Sequence, residues 1–133
     1  MRIDSDRMIA AIAAEQHGVF TLDQAKACGL TRNEIARRIA AGRWIHHYER
    51  AYSIAGAPLS WRGRLLAACC AGGTRAVASH RSAAALWGLA GGRRDILEIT
   101  CPRWRRARHG GLIVHEATML PTCDLTTIDS IPP

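Results

Sequence analysis

The chain has 133 residues, 48% of them hydrophobic, which is enough to bury one modest core or a small domain with part of a second. The composition excludes a disordered chain. The apolar runs are too short, and too often interrupted by arginine or glycine, for a signal peptide or a membrane-spanning helix. A net charge of +7 favours a polyanionic partner.

Arginine dominates the basic residues. Seventeen of the eighteen are arginine, and Lys26 is the only lysine. A planar guanidinium can bridge phosphate oxygens or a guanine edge, which favours nucleic acid as the partner. A GC-rich genome would also raise Arg, Ala and Gly together, so the positions of the arginines matter more than their number.

The five cysteines form no C-x-x-C pair, and any disulfide pairing leaves one over. Most of them have apolar neighbours, so they are predicted to be buried free thiols in a reducing compartment. We therefore expect a cytoplasmic protein.

The first helix is predicted over residues 7–17, after an N-cap at Asp4 or Ser5. At 3.6 residues per turn one apolar stripe forms, consisting of Met8, Ile9, Ile12 and Ala13. A short extended link follows, in which Phe20, the only phenylalanine, is predicted to fill the core.

Two short helices joined by a tight turn are predicted next. Thr21 with Gln24, and Thr31 with Glu34, have the spacing of capping boxes, which define where the two helices begin. Gly29 can supply the left-handed residue that ends the first of them. This is the arrangement of a helix-turn-helix.

The second of these helices would direct its arginines away from the core. Ile35 and Ile39 lie one turn apart and are predicted to face inward, and the opposite face holds Asn33, Arg37, Ala40 and Ala41. We predict base contacts by Asn33 and Arg37. We predict phosphate contacts by Arg32, Arg38 and Arg43. The alternative is an ordinary solvated helix face, because arginine is a good helix former.

Residues 44–54 have the pattern of a strand, a turn and a second strand. Such a hairpin would present His46, His47 and Arg50 beside the helix as a β-wing on the flanking DNA backbone. Adjacent histidines can also bind metal, but no third ligand with suitable spacing lies nearby. We predict neither a metal site nor any other cofactor.

The predicted fold class is α/β, more narrowly α+β. Residues 1–57 would form a winged helix-turn-helix DNA-binding domain, and residues 58–133 a partial second domain of two helices followed by an antiparallel β-hairpin. Ser60 and Ser79 are the predicted N-caps of those helices. The second helix would bury Ala83, Leu86, Trp87 and Ala90, and the hairpin would comprise residues 95–100 and 112–116.

The loop of that hairpin carries four arginines and no acidic residue: Arg103, Arg105, Arg106 and Arg108. It is either a second DNA contact or a solvated turn. Beyond one more predicted strand, at residues 125–128, the chain stops at Ile131-Pro-Pro133. Because the predicted second domain has little further chain to cover its sheet, we expect a C-terminal truncation.

An enzyme is not predicted. Ser79 and His80 are adjacent on a helix and point about 100° apart, so they fit an N-cap and a packed residue better than a nucleophile and its base. Asp95 and Glu98 are three apart on a predicted strand and would lie on opposite faces, where they could not share a metal ion. No glycine-rich phosphate loop is present.

Several of these segments together resemble a known family. Residues 18–25, 29–35, 42–44 and 51–52 resemble the N-terminal winged-helix domain of AbiEi-type antitoxins, and residues 79–89 resemble the signature of the domain that follows it in some relatives. Relatives commonly have glycine where this chain has Arg50, and a left-handed turn there would be strained with arginine. Many also continue into a C-terminal domain, which the expected truncation would remove.

The resemblance implies a transcriptional regulator of a type IV toxin–antitoxin system, which binds inverted repeats in its own promoter and opposes a nucleotidyltransferase-like toxin. Our hypothesis is accordingly a repressor that binds double-stranded DNA sequence-specifically. Two alternatives stay open. One is an adaptor whose basic face docks a toxin or nuclease, and the other is a truncated remnant without function.

Overall fold

A computed structural model describes residues 2–48, 50–73, 75–104, 111–118 and 131. The helices in this part of the chain are α1 (Arg2–Glu15), α2 (Leu22–Ala27), α3 (Arg32–Ala40), α4 (Trp61–Ala71) and α5 (His80–Leu86). The strands are β1 (Val19–Thr21), β2 (Trp44–His47), β3 (Ala51–Ile54), β4 (Val77–Ala78), β5 (Leu97–Cys101) and β6 (Leu112–Glu116). The predicted α+β class is confirmed. No helix among the described residues has the length and hydropathy needed to cross a bilayer.

Both predicted capping boxes are present. The Thr21 hydroxyl accepts from the backbone N–H of Gln24 at 3.2 Å, and the Thr31 hydroxyl accepts from that of Glu34 at the same distance. In return, the side chains of Gln24 and Glu34 accept from the backbone N–H groups of Thr21 and Thr31. Gly29 has φ +96°, as the turn between α2 and α3 requires. Helix α1 differs from the prediction, because it begins at Arg2 and ends at Glu15.

The first sheet has the strand order β1-β3-β2, with both pairs antiparallel. Strands β2 and β3 form the predicted hairpin directly after α3. Phe20 is completely buried, and its ring lies 4.7 Å from that of Trp44 and 5.8 Å from that of Tyr52. The aromatic cluster joins the hairpin to the three N-terminal helices through one core, which confirms Phe20 as a core residue.

Helix α4 connects the N-terminal part of the chain with the second sheet. Its Leu65 lies in the same buried cluster as Val19 of β1 and Ile99 of β5. The approach is close, since a Cβ on Gly63 would come within 2.6 Å of the His17 carbonyl oxygen. Residues on both sides of the predicted 57/58 boundary therefore share one core.

The second sheet has the order β4-β5-β6, and here one prediction is wrong. Strands β5 and β6 pair in parallel, with Leu97 opposite Leu112, and do not form an antiparallel hairpin. The ten residues between them, 102–111, can span about 33 Å when extended, twice the ~17 Å length of a five-residue strand. The chain can thus return to the start of β5. Alternation of apolar residues does not reveal strand direction, because either direction places the same residues in the core.

Helix α5 starts where predicted but is shorter. It ends at Leu86, and Trp87 is 55% exposed, contrary to its predicted burial. Ser79 occupies the N-cap position without making a side-chain cap bond. The Ser82 hydroxyl instead accepts from the backbone N–H of Glu98 at 2.8 Å. This bond lies on the side of β5 that pairs with β4, and it continues the hydrogen bonding between those two strands.

Candidate nucleic-acid interface

The outward face of α3 carries basic and small residues. The positions exposed to solvent are Arg32, Asn33, Ala36, Arg37 and Ala40, and Ile35 is buried beneath them. The only acidic residue of α3, Glu34, is 8% exposed and is used in the capping box. The exposed face therefore presents no negative charge to a phosphate backbone.

Arg38 does not belong to this face, and its burial and ion pair argue against the predicted phosphate contact. Its side chain is 9% exposed, and its Nε and Nη2 donate to the two carboxylate oxygens of Asp6 at 3.0 and 3.2 Å. Nη1 donates to the carbonyl of Glu34 at 3.1 Å, and the guanidinium lies over the ring of Trp44. A guanidinium that is buried with these partners stabilises the fold.

Arg43, just past the end of α3, remains available. Its side chain is 61% exposed, and Nη2 lies 3.7 Å from Asp6, beyond hydrogen-bonding distance. A pair this exposed is weak and would be exchanged readily for a phosphate. The predicted position of Arg43 at the edge of the helix face is thus compatible with a phosphate contact.

The two hairpin histidines differ in environment. His46 is exposed and stacks on Tyr52, with 4.8 Å between ring centroids. His47 is half-buried and its Nε2 lies 2.8 Å from the hydroxyl of Ser53. Burial, and then the neighbouring His46, lower the pKa of His47. His47 is therefore neutral at pH 7 and adds no charge to the interface.

The residue with left-handed backbone in the hairpin turn is not Arg50, where strain was expected. The left-handed conformation belongs to Tyr48, with φ +51°, whereas Arg50 is not among the described residues with positive φ. Arginine in place of glycine therefore costs no left-handed strain at position 50. Arg50 is exposed, and its carbonyl accepts from the Leu22 N–H at 3.1 Å, which ties the turn to the start of α2.

Of the four loop arginines considered as a second DNA contact, Arg103 is exposed. Arg105, Arg106 and Arg108 lie outside the described residues.

A second cluster of polar side chains was not predicted. His80 of α5, Glu98 of β5 and His115 of β6 each offer a ligand atom, and these atoms lie within 4.8 Å of one another. Glu98 is 2% exposed, and its carboxylate accepts from Arg81 Nε at 2.6 Å and contacts His115 Nε2 at 2.9 Å. Burial by itself would raise the pKa of Glu98, but the hydrogen bonds from Arg81 and His115 outweigh it and lower the pKa to about 2.

The signal that could have revealed this cluster is Glu98 itself. It stands between two apolar residues of a buried strand, and a buried carboxylate needs partners. The three contributing residues lie 17 or 18 positions apart in the chain, so no short motif joins them.

Comparison with known families supports the resemblance predicted for the N-terminal part of the chain. Residues 7–45 match the family described as "Transcriptional regulator, AbiEi antitoxin". This segment runs from α1 to the first residues of the hairpin, and for it the predicted resemblance is confirmed. The description names a regulator and no catalytic activity. A search of curated proteins finds no match for the chain. The resemblance of residues 79–89 stays a prediction.

Proposed function

We propose that the protein is a transcriptional regulator that binds double-stranded DNA, with α3 in the major groove and the β2–β3 hairpin on the flanking backbone. The exposure of Asn33 and Arg37 on a helix with no exposed acid is the observation that carries this proposal. The helix is rigidly presented, because a capping box defines its start and the aromatic core holds the hairpin that follows it.

Each exposed side chain has a defined role in this proposal. Asn33 and Arg37 read base edges, because an amide can pair with adenine and a guanidinium with guanine in a bidentate manner. Arg32 and Arg43 contact phosphates at the two ends of α3, and His46 and Arg50 contact the backbone from the hairpin. Arg38 is left out because it is paired with Asp6 inside the fold.

The finer assignment rests on the family match. A segment of the AbiEi antitoxin family that contains a helix-turn-helix supports autorepression at the protein's own promoter, within a type IV toxin–antitoxin system. Inverted repeats as the operator imply two copies of the chain, one on each half-site. The cognate partner in this proposal is a nucleotidyltransferase-like toxin encoded nearby.

Fluorescence anisotropy with labelled DNA from upstream of the gene tests the proposal. The double variant Asn33→Ala/Arg37→Ala should weaken binding at least about tenfold, since each good base contact contributes roughly 1–3 kcal/mol. Arg93→Ala removes the same charge from an exposed residue that pairs with Asp95, and serves as the control. Equal affinities for the two variants would show that α3 does not read the DNA.

Salt dependence separates phosphate contacts from base contacts in the same assay. The slope of log K against log[salt] should become shallower by about one unit in Arg32→Ala. Unrelated DNA should compete poorly with the wild-type complex. A slope unchanged by Arg32→Ala would contradict the phosphate role of this residue.

A further inference from the structure

We propose that His80, Glu98 and His115 form a binding site for a divalent transition-metal ion, with Zn²⁺ as the representative. Each histidine would supply one ring nitrogen and Glu98 one carboxylate oxygen. The site is built from α5 and the second sheet, so it is independent of the proposed DNA-binding face.

The distances suit metal coordination. His115 Nε2 and Glu98 Oε2 are 2.9 Å apart. Two neighbouring donors around an ion with bonds of ~2.1 Å lie ~3.0 Å apart at right angles and ~3.4 Å apart in a tetrahedron. The ring centroids of His80 and His115 are 4.0 Å apart, and all three donor atoms lie within 4.8 Å of one another. The proposal requires the exposed His80 ring to rotate so that its nitrogen approaches the other two donors.

The carboxylate is held in a fixed orientation. Glu98 lies on the central strand of its sheet, and its backbone carbonyl and N–H are bonded to Ser79 and Ser82. Arg81 donates to Oε1, which leaves Oε2 beside the imidazole of His115. Outer groups that orient a ligand in this way are typical of metal centres.

His80 supplies an independent observation. It has φ +50° at the first position of α5, a left-handed conformation that costs a non-glycine residue roughly 1 kcal/mol or more. Strain of this kind is concentrated at functional sites. Here it accompanies the placement of the imidazole against that of His115, 35 residues away in the chain.

The donor set defines the class of ion. Two imidazoles and one carboxylate suit Zn²⁺, Co²⁺ or Ni²⁺, whereas Mg²⁺ and Ca²⁺ prefer oxygen ligands alone. His80 is exposed and the side chain of His115 is 38% exposed, so an ion can enter from solvent. Three protein ligands leave at least one position for water or for a bound molecule.

Isothermal titration of the metal-free full chain with ZnCl₂ tests the site, and the absorption of bound Co²⁺ reports its geometry. We expect one tightly bound ion per chain that excess Mg²⁺ does not displace. His80→Asn, which tolerates the left-handed backbone, and His115→Ala should each weaken Zn²⁺ binding at least about tenfold. His17→Asn removes an imidazole at another left-handed position and should bind like wild type.

Circular dichroism first establishes that each variant is folded. The surface location of His80 makes His80→Asn the decisive variant if His115→Ala unfolds. Failure of the wild-type chain to bind Zn²⁺, or equal affinity in wild type and His80→Asn, would overturn the site and leave the cluster as an ion-pair network around Glu98. Neither result would bear on DNA binding, which is measured separately.

Discussion

Arg38 of α3 and Asp6 of α1 form a bidentate ion pair across 32 residues of sequence, with hydrogen bonds of 3.0 and 3.2 Å. The neighbouring Arg37, about 100° further around the same helix, is exposed. Two adjacent arginines thus have different roles: Arg38 fastens α3 to α1, and Arg37 is free to contact a ligand.

Arg38→Ala should lower the free energy of unfolding by roughly 2 kcal/mol. The substitution leaves the Asp6 carboxylate, itself 31% exposed, without its two donors from Arg38, and it removes an additional bond to the Glu34 carbonyl. Arg37→Ala should change the stability by less than about 0.5 kcal/mol, as expected for a surface residue. Urea unfolding followed by circular dichroism measures both, and equal effects would contradict the assignment of Arg38 to the fold.

Thr31→Ala should cost about 1 kcal/mol, because the cap satisfies the Glu34 N–H and orients the glutamate that caps Thr31 in return. Thr31→Ser keeps the hydroxyl and should remain close to wild type. The free energies of unfolding of the two variants give the comparison. If Ser and Ala were equally destabilising, the lost methyl group rather than the cap would be responsible.

Gly63→Ala should destabilise the protein by about 1–3 kcal/mol, even though alanine is the better helix former by ~1 kcal/mol. An added Cβ would come within 2.6 Å of the His17 carbonyl oxygen and 3.2 Å of Leu59, where α4 meets the turn after α1. Arg64→Ala on the same helix is exposed and is the control. A stabilising Gly63→Ala, seen as a higher Tm, would exclude this close approach.

Cys70 should be unreactive at pH 8 in the native protein. Burial raises the pKa of Cys70 to about 11 and also raises that of Cys69, so neither forms the nucleophilic thiolate. Iodoacetamide labelling, mapped by mass spectrometry, should be at least about tenfold slower for both in the native chain than in urea. Comparable native and denatured rates would contradict their burial.

The sign of the accompanying pH dependence follows from linkage. The folded chain keeps the thiol protons that the unfolded chain releases as the pH passes about 9. The free energy of unfolding should therefore fall as the pH rises beyond that value. Cys69→Ala/Cys70→Ala should reduce this fall, and the same slope in wild type and variant would assign it to other groups.

Local interactions were read correctly from the sequence. The two capping boxes and the left-handed Gly29 involve residues at most a few positions apart, so residue type and spacing were sufficient to place the starts of α2 and α3. The burial of Ile35 opposite Asn33 and Arg37 followed from helical periodicity for the same reason.

The predictions that failed concern residues whose partners are distant along the chain. The phosphate contact predicted for Arg38 did not anticipate its ion pair, because only the packing of α1 brings Asp6 to it. Alternation predicted both strands of the β5–β6 pair, but their parallel direction depends on the route of the chain between them. The predicted burial of Trp87 was also wrong, since this residue follows the last residue of α5 and is 55% exposed.

Helix starts, the turn glycine and the inward face of α3 were determined by residue type and spacing, because each depends on hydrogen bonds or periodicity within about one turn. The choice between Arg37 and Arg38, the strand direction in the second sheet and the meeting of His80, Glu98 and His115 were decided by tertiary packing. Such contacts join residues 15 to 35 positions apart, and their geometry depends on how whole elements pack rather than on any local preference.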